Sequence, residues 1–123
     1  ISHPPQSAIY AEFNRLLMGN RGTTAAARIV PSQAAMLATV RETPGSVGYV
    51  NISNITTTVR AVAIDDIQPT PENIANSTYP LRSTIYIASV GEPTGSYRTF
   101  IGWLQSPDGQ QVVAQRHVPI NQP

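Results

Sequence analysis

Few side chains in this 123-residue chain are equipped for chemistry, and the best placed of them stand at the start of a helix. Gln6-Ser7 immediately precede an amphipathic run, so Ser7 can cap that helix with its hydroxyl. The same position supports a second reading. The first N–H groups of a helix are unpaired and its dipole is positive there, so Ser7 and the first-turn amides can face an anion. The remaining candidates are weaker. His3 and His117 are far apart in sequence, and the scattered carboxylates show no metal-ligand spacing. Asp65-Asp66 reads as the solvated end of a strand rather than an acid/base pair. Gly19-Asn20-Arg21-Gly22 has the Gly-x-x-Gly form of a phosphate-gripping loop in RNA-binding modules, but the next helical pattern begins about ten residues later, and that module places its loop between two helices. Asn51-Ile52-Ser53, Asn54-Ile55-Thr56 and Asn76-Ser77-Thr78 match the glycosylation acceptor pattern, which has meaning only in a eukaryotic secretory setting.

Composition narrows the classes further. The eight basic residues are all Arg, scattered singly from Arg15 to Arg116, and the formal net charge is +1, so the electrostatic footprint of a nucleic-acid binder is absent. With no cysteine, disulfides and thiolate chemistry are excluded. The apolar fraction of 41% suits an ordered domain with a core, and no apolar run approaches the roughly 18 residues that cross a bilayer. No nucleophile, base and orienting group can be placed together, so an enzyme is not expected, nor is a cofactor or a metal. The length implies one domain, residues 1–123, and the absence of an initiator Met at Ile1 suggests a processed or excised piece of something longer.

The elements that must position these residues follow an α/β pattern. Ile9, Tyr10, Phe13, Leu16 and Leu17 recur at helical spacing, predicting a helix from about Gln6 to Met18 that Gly19 stops. Arg28-Ile29-Val30 reads as a short strand, and Pro31-Ser32 opens a second helix carrying Ala35, Met36, Leu37 and Val40. Strands are expected at Val47 to Val50, Thr58 to Ile64 and Leu81 to Val90, with a short helix at 71–75 between the last two. Two helices close the chain. Between them Ser106 can cap the second, Pro107 suits its first position and Asp108 complements the dipole. The expected core is Phe13, Leu17, Leu37, Val40, Ile87, Phe100, Leu104 and Val113, around a mixed sheet flanked by helices.

Three segments carry a resemblance. Thr43-Pro44-Gly45-Ser46-Val47-Gly48-Tyr49-Val50, then Tyr79-Pro80-Leu81 with Ile85-Tyr86-Ile87, then Ser106-Pro107-Asp108-Gly109-Gln110 with Val118-Pro119-Ile120 occur in that order. Together they resemble the C-terminal part of the phosphate-binding (PstS-like) proteins of ABC transporters. Asp108 departs from the family's Glu, and Arg116-His117 from its Gly-Tyr. Physically, Gly45 ends a helix and Gly48 permits close backbone approach where helix meets strand.

The resemblance implies an α/β fold: one lobe of a type-2 periplasmic-binding-protein-like architecture, plus the segment that returns toward the other lobe. A complete two-lobe protein needs roughly twice this length. It implies a non-enzymatic, extracytoplasmic solute-binding domain, periplasmic or extracellular, with or without a membrane anchor outside these residues. Its implied ligand is phosphate or another small oxyanion, and its implied partners are a transporter permease or a first lobe. Surface left open for that lobe predicts self-association. Family members place an Arg, then Gly-Ser-Gly-Thr, at the start of a helix. Aligned on Phe13, His3 stands at the Arg, Gln6 at the first Gly, Ser7 at the Ser, Ala8 at the second Gly and Ile9 at the Thr. Ser7 alone matches, while His3 cannot supply a guanidinium fork and Ile9 removes a hydroxyl. The resemblance therefore points to Ser7, Gln6, Ala8 and His3 as the anion-binding set, in a fold better matched than its site. A degenerate structural or protein-interaction module that lost the anion site is the alternative.

Overall fold

A hydroxyl three residues ahead of an unpaired amide can cap a helix start. In the computed structural model, which describes residues 1–120, Ser7, Ser32, Thr70 and Ser106 do so, while Thr94 at the start of the remaining α-helix makes no such bond. Helix α1 spans Ala8–Leu16 and α2 spans Gln33–Glu42. Ser7 and Ser32 are their N-caps, accepting from the Tyr10 N–H at 3.3 Å and the Ala35 N–H at 3.1 Å. A single 3-10 turn follows at Ile52–Asn54, then the short α3, Pro71–Ala75, capped by Thr70. Helix α4, Gly95–Gln105, and α5, Pro107–Ala114, form the terminal pair.

Ser106 both ends α4 and starts α5, as its sequence neighbours predict. Its hydroxyl donates to the Trp103 carbonyl at 2.6 Å and accepts from the Gly109 N–H at 3.3 Å, with Pro107 in the first turn where no N–H is needed. Gly109 is buried against the end of α4: a Cβ built there would fall 2.7 Å from Leu104 Cα and against the Trp103 carbonyl. Gln110, 7% exposed, locks the corner by donating Nε2–H to the Leu104 carbonyl at 2.8 Å and accepting the Ile120 N–H at 2.9 Å.

The N-terminal half is organised around three extended stretches. Ser2 lies beside Ile29 in a parallel bridge, with its N–H donating to the Arg28 carbonyl at 2.9 Å and its carbonyl accepting from Val30 at 3.0 Å. On the other side the Ile1 ammonium donates to the Val47 carbonyl at 2.9 Å. Helix α2 packs over residues 46–50. Gly48 allows this approach, since a Cβ there would meet the Met36 sulfur and stand 3.0 Å from a Val40 methyl.

The predicted mixed sheet is not formed. Among the described residues no strand longer than an isolated bridge appears in Val47 to Val50, Thr58 to Ile64 or Leu81 to Val90, and the second bridge, Ile64 with Ile67, only closes a turn. Asp65 and Asp66 are the centre of that turn, with φ of 50° and 64°, the left-handed pair of a tight two-residue hairpin. The physical reason is partnership. β-branched and aromatic residues suit a pleated surface, but a strand exists only when a neighbour takes up its amides, and no backbone–backbone hydrogen bond among the described residues involves residues 82–91.

The expected core is corrected in the same way. Phe13, Leu37, Val40, Leu104 and Val113 are half-buried, while Leu17, Ile87 and Phe100 are exposed. Burial centres instead on Val30 and Met36, with Ser2, His3 and Thr39 beside them. Periodicity picks out apolar positions, but burial requires a second surface.

Candidate functional site

The residues singled out around the start of α1 are brought into one short arc, with different roles. Ser7 is half-buried, and its hydroxyl is committed: it donates to the Pro4 carbonyl at 2.7 Å while accepting the Tyr10 N–H. A hydroxyl has one proton, so in this arrangement Ser7 has none to offer a ligand. The groups left free are backbone donors. Among the described residues the Ala8 and Ile9 N–H groups have no hydrogen-bond partner, and Gln6 and Ala8 are exposed to solvent. Two amides at the positive end of a nine-residue helix form the part of the arc suited to an anion.

His3 is not a solvated terminal residue. It is 2% exposed, and its N–H donates to the Tyr49 hydroxyl at 3.1 Å. Its Nε2 lies 3.1 Å from the Tyr49 carbonyl, which can only accept, so the proton is on Nε2. Its ring meets the Tyr49 ring edge-on at 5.2 Å. Tyr49 in turn stacks flat on Phe13, with centroids 3.9 Å apart and planes within 4°. Tyr49 is the residue that sequence reasoning did not place here, because its partners are 46 residues away.

The loop after α1 folds back onto it. The Gly22 N–H donates to Asn14 Oδ1 at 2.8 Å and the Thr23 N–H to the Tyr10 hydroxyl at 3.4 Å, so the Gly-x-x-Gly segment is tied to a helix flank, with α2 starting only at Gln33. His117 and Arg116 are exposed, and among the described residues no three His, Cys, Asp or Glu side chains gather as a metal site.

A second feature was not legible in the sequence. An open cleft of about 480 Å³ lies between the outer face of α1 and residues 80–86, lined by Glu12, Arg15, Leu16, Arg82, Ser83 and Tyr86. Arg15 donates to Glu12 at 2.8 Å, and this hydrogen bond, followed by that of Ser83, holds the Glu12 carboxyl below its ordinary range. The pair lies open to solvent and neutralises itself, and among the described residues no ion pair involves Arg82, the third charged side chain of the cleft. In the other half of the chain, burial pushes the Tyr79 phenol up, and its hydroxyl donates to the Val62 carbonyl at 3.3 Å.

This arrangement of a capped helix beside extended segments, with a helical pair at the end, has a structural counterpart. The backbone superposes with a TM-score of 0.82 on the crystal structure of a phosphate ABC transporter phosphate-binding protein from Streptococcus pneumoniae, over 99% of this chain and 51% of that one. At 21% identity that likeness establishes the fold: these residues adopt about half of a phosphate-binding-protein architecture.

Sequence comparison is more particular. The chain is 33% identical over 84 residues to the phosphate-binding protein PstS of Bacillus subtilis, covering 66% of this chain and 28% of that protein. It is 28% identical over 101 residues to phosphate-binding protein PstS 2 of Streptococcus agalactiae, covering 80% and 34%. No family model matches. The chain thus spans about a third of the length of these curated relatives. The similarity to phosphate-binding proteins of ABC transporters, read from three motifs, holds in both sequence and backbone.

Proposed function

We propose that this chain is one lobe, with a returning C-terminal segment, of a non-enzymatic extracytoplasmic solute-binding protein that serves an ABC-type importer, and that its ligand is phosphate or a related oxyanion. The observation that carries this reading is the agreement of fold and names: a 0.82 superposition on a phosphate-binding protein, together with curated relatives bearing the same description. The relatives' names disfavour a module without anion binding.

The anion is placed at the start of α1. Its donors are the free Ala8 and Ile9 N–H groups, with Gln6 beside them and Ser7 as the cap that orients the turn. His3 acts from behind, through its hold on Tyr49. Two amides cannot replace the hydration of a phosphate, so tight binding requires donors from a second lobe closing over the ligand. The segment 82–90 supports that requirement: among the described residues its backbone amides and carbonyls have no backbone partner, and Ile85, Tyr86, Ile87 and Val90 are all exposed, as expected of a strand that awaits neighbours.

Calorimetric titration with phosphate tests the reading. The 123-residue chain is expected to bind far more weakly than an intact two-lobe relative, and Ser7→Ala to weaken it further by loosening the first turn. A gene product carrying both lobes should give a saturable heat. Absence of heat at millimolar phosphate in the two-lobe product would overturn the transport reading.

A further inference from the structure

Tyr49 joins three parts of the structure through one side chain and its own carbonyl. The hydroxyl accepts the His3 N–H at 3.1 Å and lies 2.9 Å from Ser2 Oγ. The carbonyl accepts His3 Nε2–H at 3.1 Å, and the ring lies flat against Phe13, on the inner face of α1. The protons can be assigned without conflict. Ser2 Oγ donates to the His3 carbonyl at 3.2 Å and accepts from Thr23 Oγ1 at 3.4 Å, which leaves it a lone pair for the Tyr49 O–H. Among the described residues no buried side-chain N or O lacks a partner.

Between His3 and the helix stand only Pro4, Pro5, Gln6 and Ser7. Two consecutive prolines have φ fixed near −65°, so this arm is stiff. Its far end is pinned, because both the N–H and the Oγ–H of Ser7 go to the Pro4 carbonyl, at 2.9 and 2.7 Å. The position of His3 is therefore transmitted along the arm to the first turn of α1, where the Ala8 and Ile9 amides are free.

We infer that Tyr49 is the positioning residue for the mouth of α1: through its hydroxyl it holds the Ser2-His3 strand, and through the Pro4-Pro5 arm it sets the direction of the Ala8 and Ile9 N–H groups. This rests on the reading that an anion is bound there. Tyr49 itself touches no ligand.

The test is Tyr49→Phe, which keeps the stack on Phe13 and removes only the hydroxyl. Two readouts are taken beside a control, Gln110→Ala, which lowers stability at the α4–α5 corner through its bonds to Leu104 and Ile120. The first is backbone ¹⁵N relaxation of the ligand-free chain. Order parameters at residues 3–9 should fall in Tyr49→Phe from the rigid level of about 0.85, and stay unchanged in Gln110→Ala although its melting point drops. The second is phosphate affinity in the two-lobe product, which should weaken about threefold to tenfold in Tyr49→Phe, the effect of one net hydrogen bond, and not in the control. Unchanged order at residues 3–9, or affinity unchanged despite loosened order, overturns the inference. If the unaltered protein takes up no phosphate, the anion reading fails by itself, and relaxation alone then decides whether Tyr49 positions this turn.

Discussion

The two glycines of the terminal helical pair should respond to the same substitution with opposite signs. Gly102 lies in α4 with nothing within 4 Å of the position a Cβ would take, so Gly102→Ala restricts the unfolded chain at no steric cost and should stabilise by about 0.5–1 kcal/mol. Gly109 is also helical and gains the same propensity. Its Cβ, however, would stand 2.7 Å from both Leu104 Cα and the Leu104 carbonyl oxygen and closer still to that of Trp103. These are backbone atoms of the preceding helix and cannot rotate away, so α5 must shift as a body. Doing so stretches the Gln110 bonds to Leu104 and Ile120. Overpacking of this kind costs about 1–3 kcal/mol, which offsets the propensity gain and leaves a net loss of up to about 2.5 kcal/mol, about 1 kcal/mol at mid-range. Urea unfolding with a fixed slope reads both values, and for a domain of this size each kcal/mol corresponds to a melting shift of about 4 °C. A Gly109→Ala protein as stable as Gly102→Ala would refute the packing of α4 on α5 described above.

Three further outcomes are expected. Gln110→Ala leaves the Leu104 carbonyl and the Ile120 N–H without their partner at a buried corner, and should cost about 1–3 kcal/mol in urea unfolding, whereas Gln111→Ala on the exposed side should cost little. Glu12 has its folded pKa depressed by Arg15, so its contribution is complete above the ordinary glutamate value of 4.5 and is lost as pH falls through the lower folded value. Because the pair is exposed, that dependence should be small, should shrink in high salt and should be reduced in Arg15→Gln to what the Ser83 hydrogen bond sustains; a pH profile unchanged by that substitution would contradict it. Hydrogen exchange of the 123-residue chain should show residues 82–91 exchanging at nearly unprotected rates while the amides of α2 are slowed, and the two-lobe product should protect both.

Local chemistry determined much of this molecule. Ser7, Ser32, Thr70 and Ser106 cap their helices because a hydroxyl and an amide three residues apart meet whatever surrounds them, and Pro71 and Pro107 fall in first turns for the same local reason. The close approach at Gly48 was legible at the same range, whereas Asp65-Asp66, read as the end of a strand, is the centre of a turn. The likeness to phosphate-binding proteins was legible too, carried by short motifs in a fixed order.

What only the tertiary structure decided depends on partners far along the chain. His3, set at the family's Arg by the resemblance, is buried against Tyr49, 46 residues away, and the proton of Ser7 is given to the Pro4 carbonyl. The apolar alternation of Leu81 to Val90 is the pattern of a strand, yet no ladder forms, because β-propensity describes a surface that suits a neighbour and cannot supply one. Helices close their hydrogen bonds within four residues and are written locally. Sheets, burial and the mouth of a binding site close across the fold, between residues that no local pattern brings together.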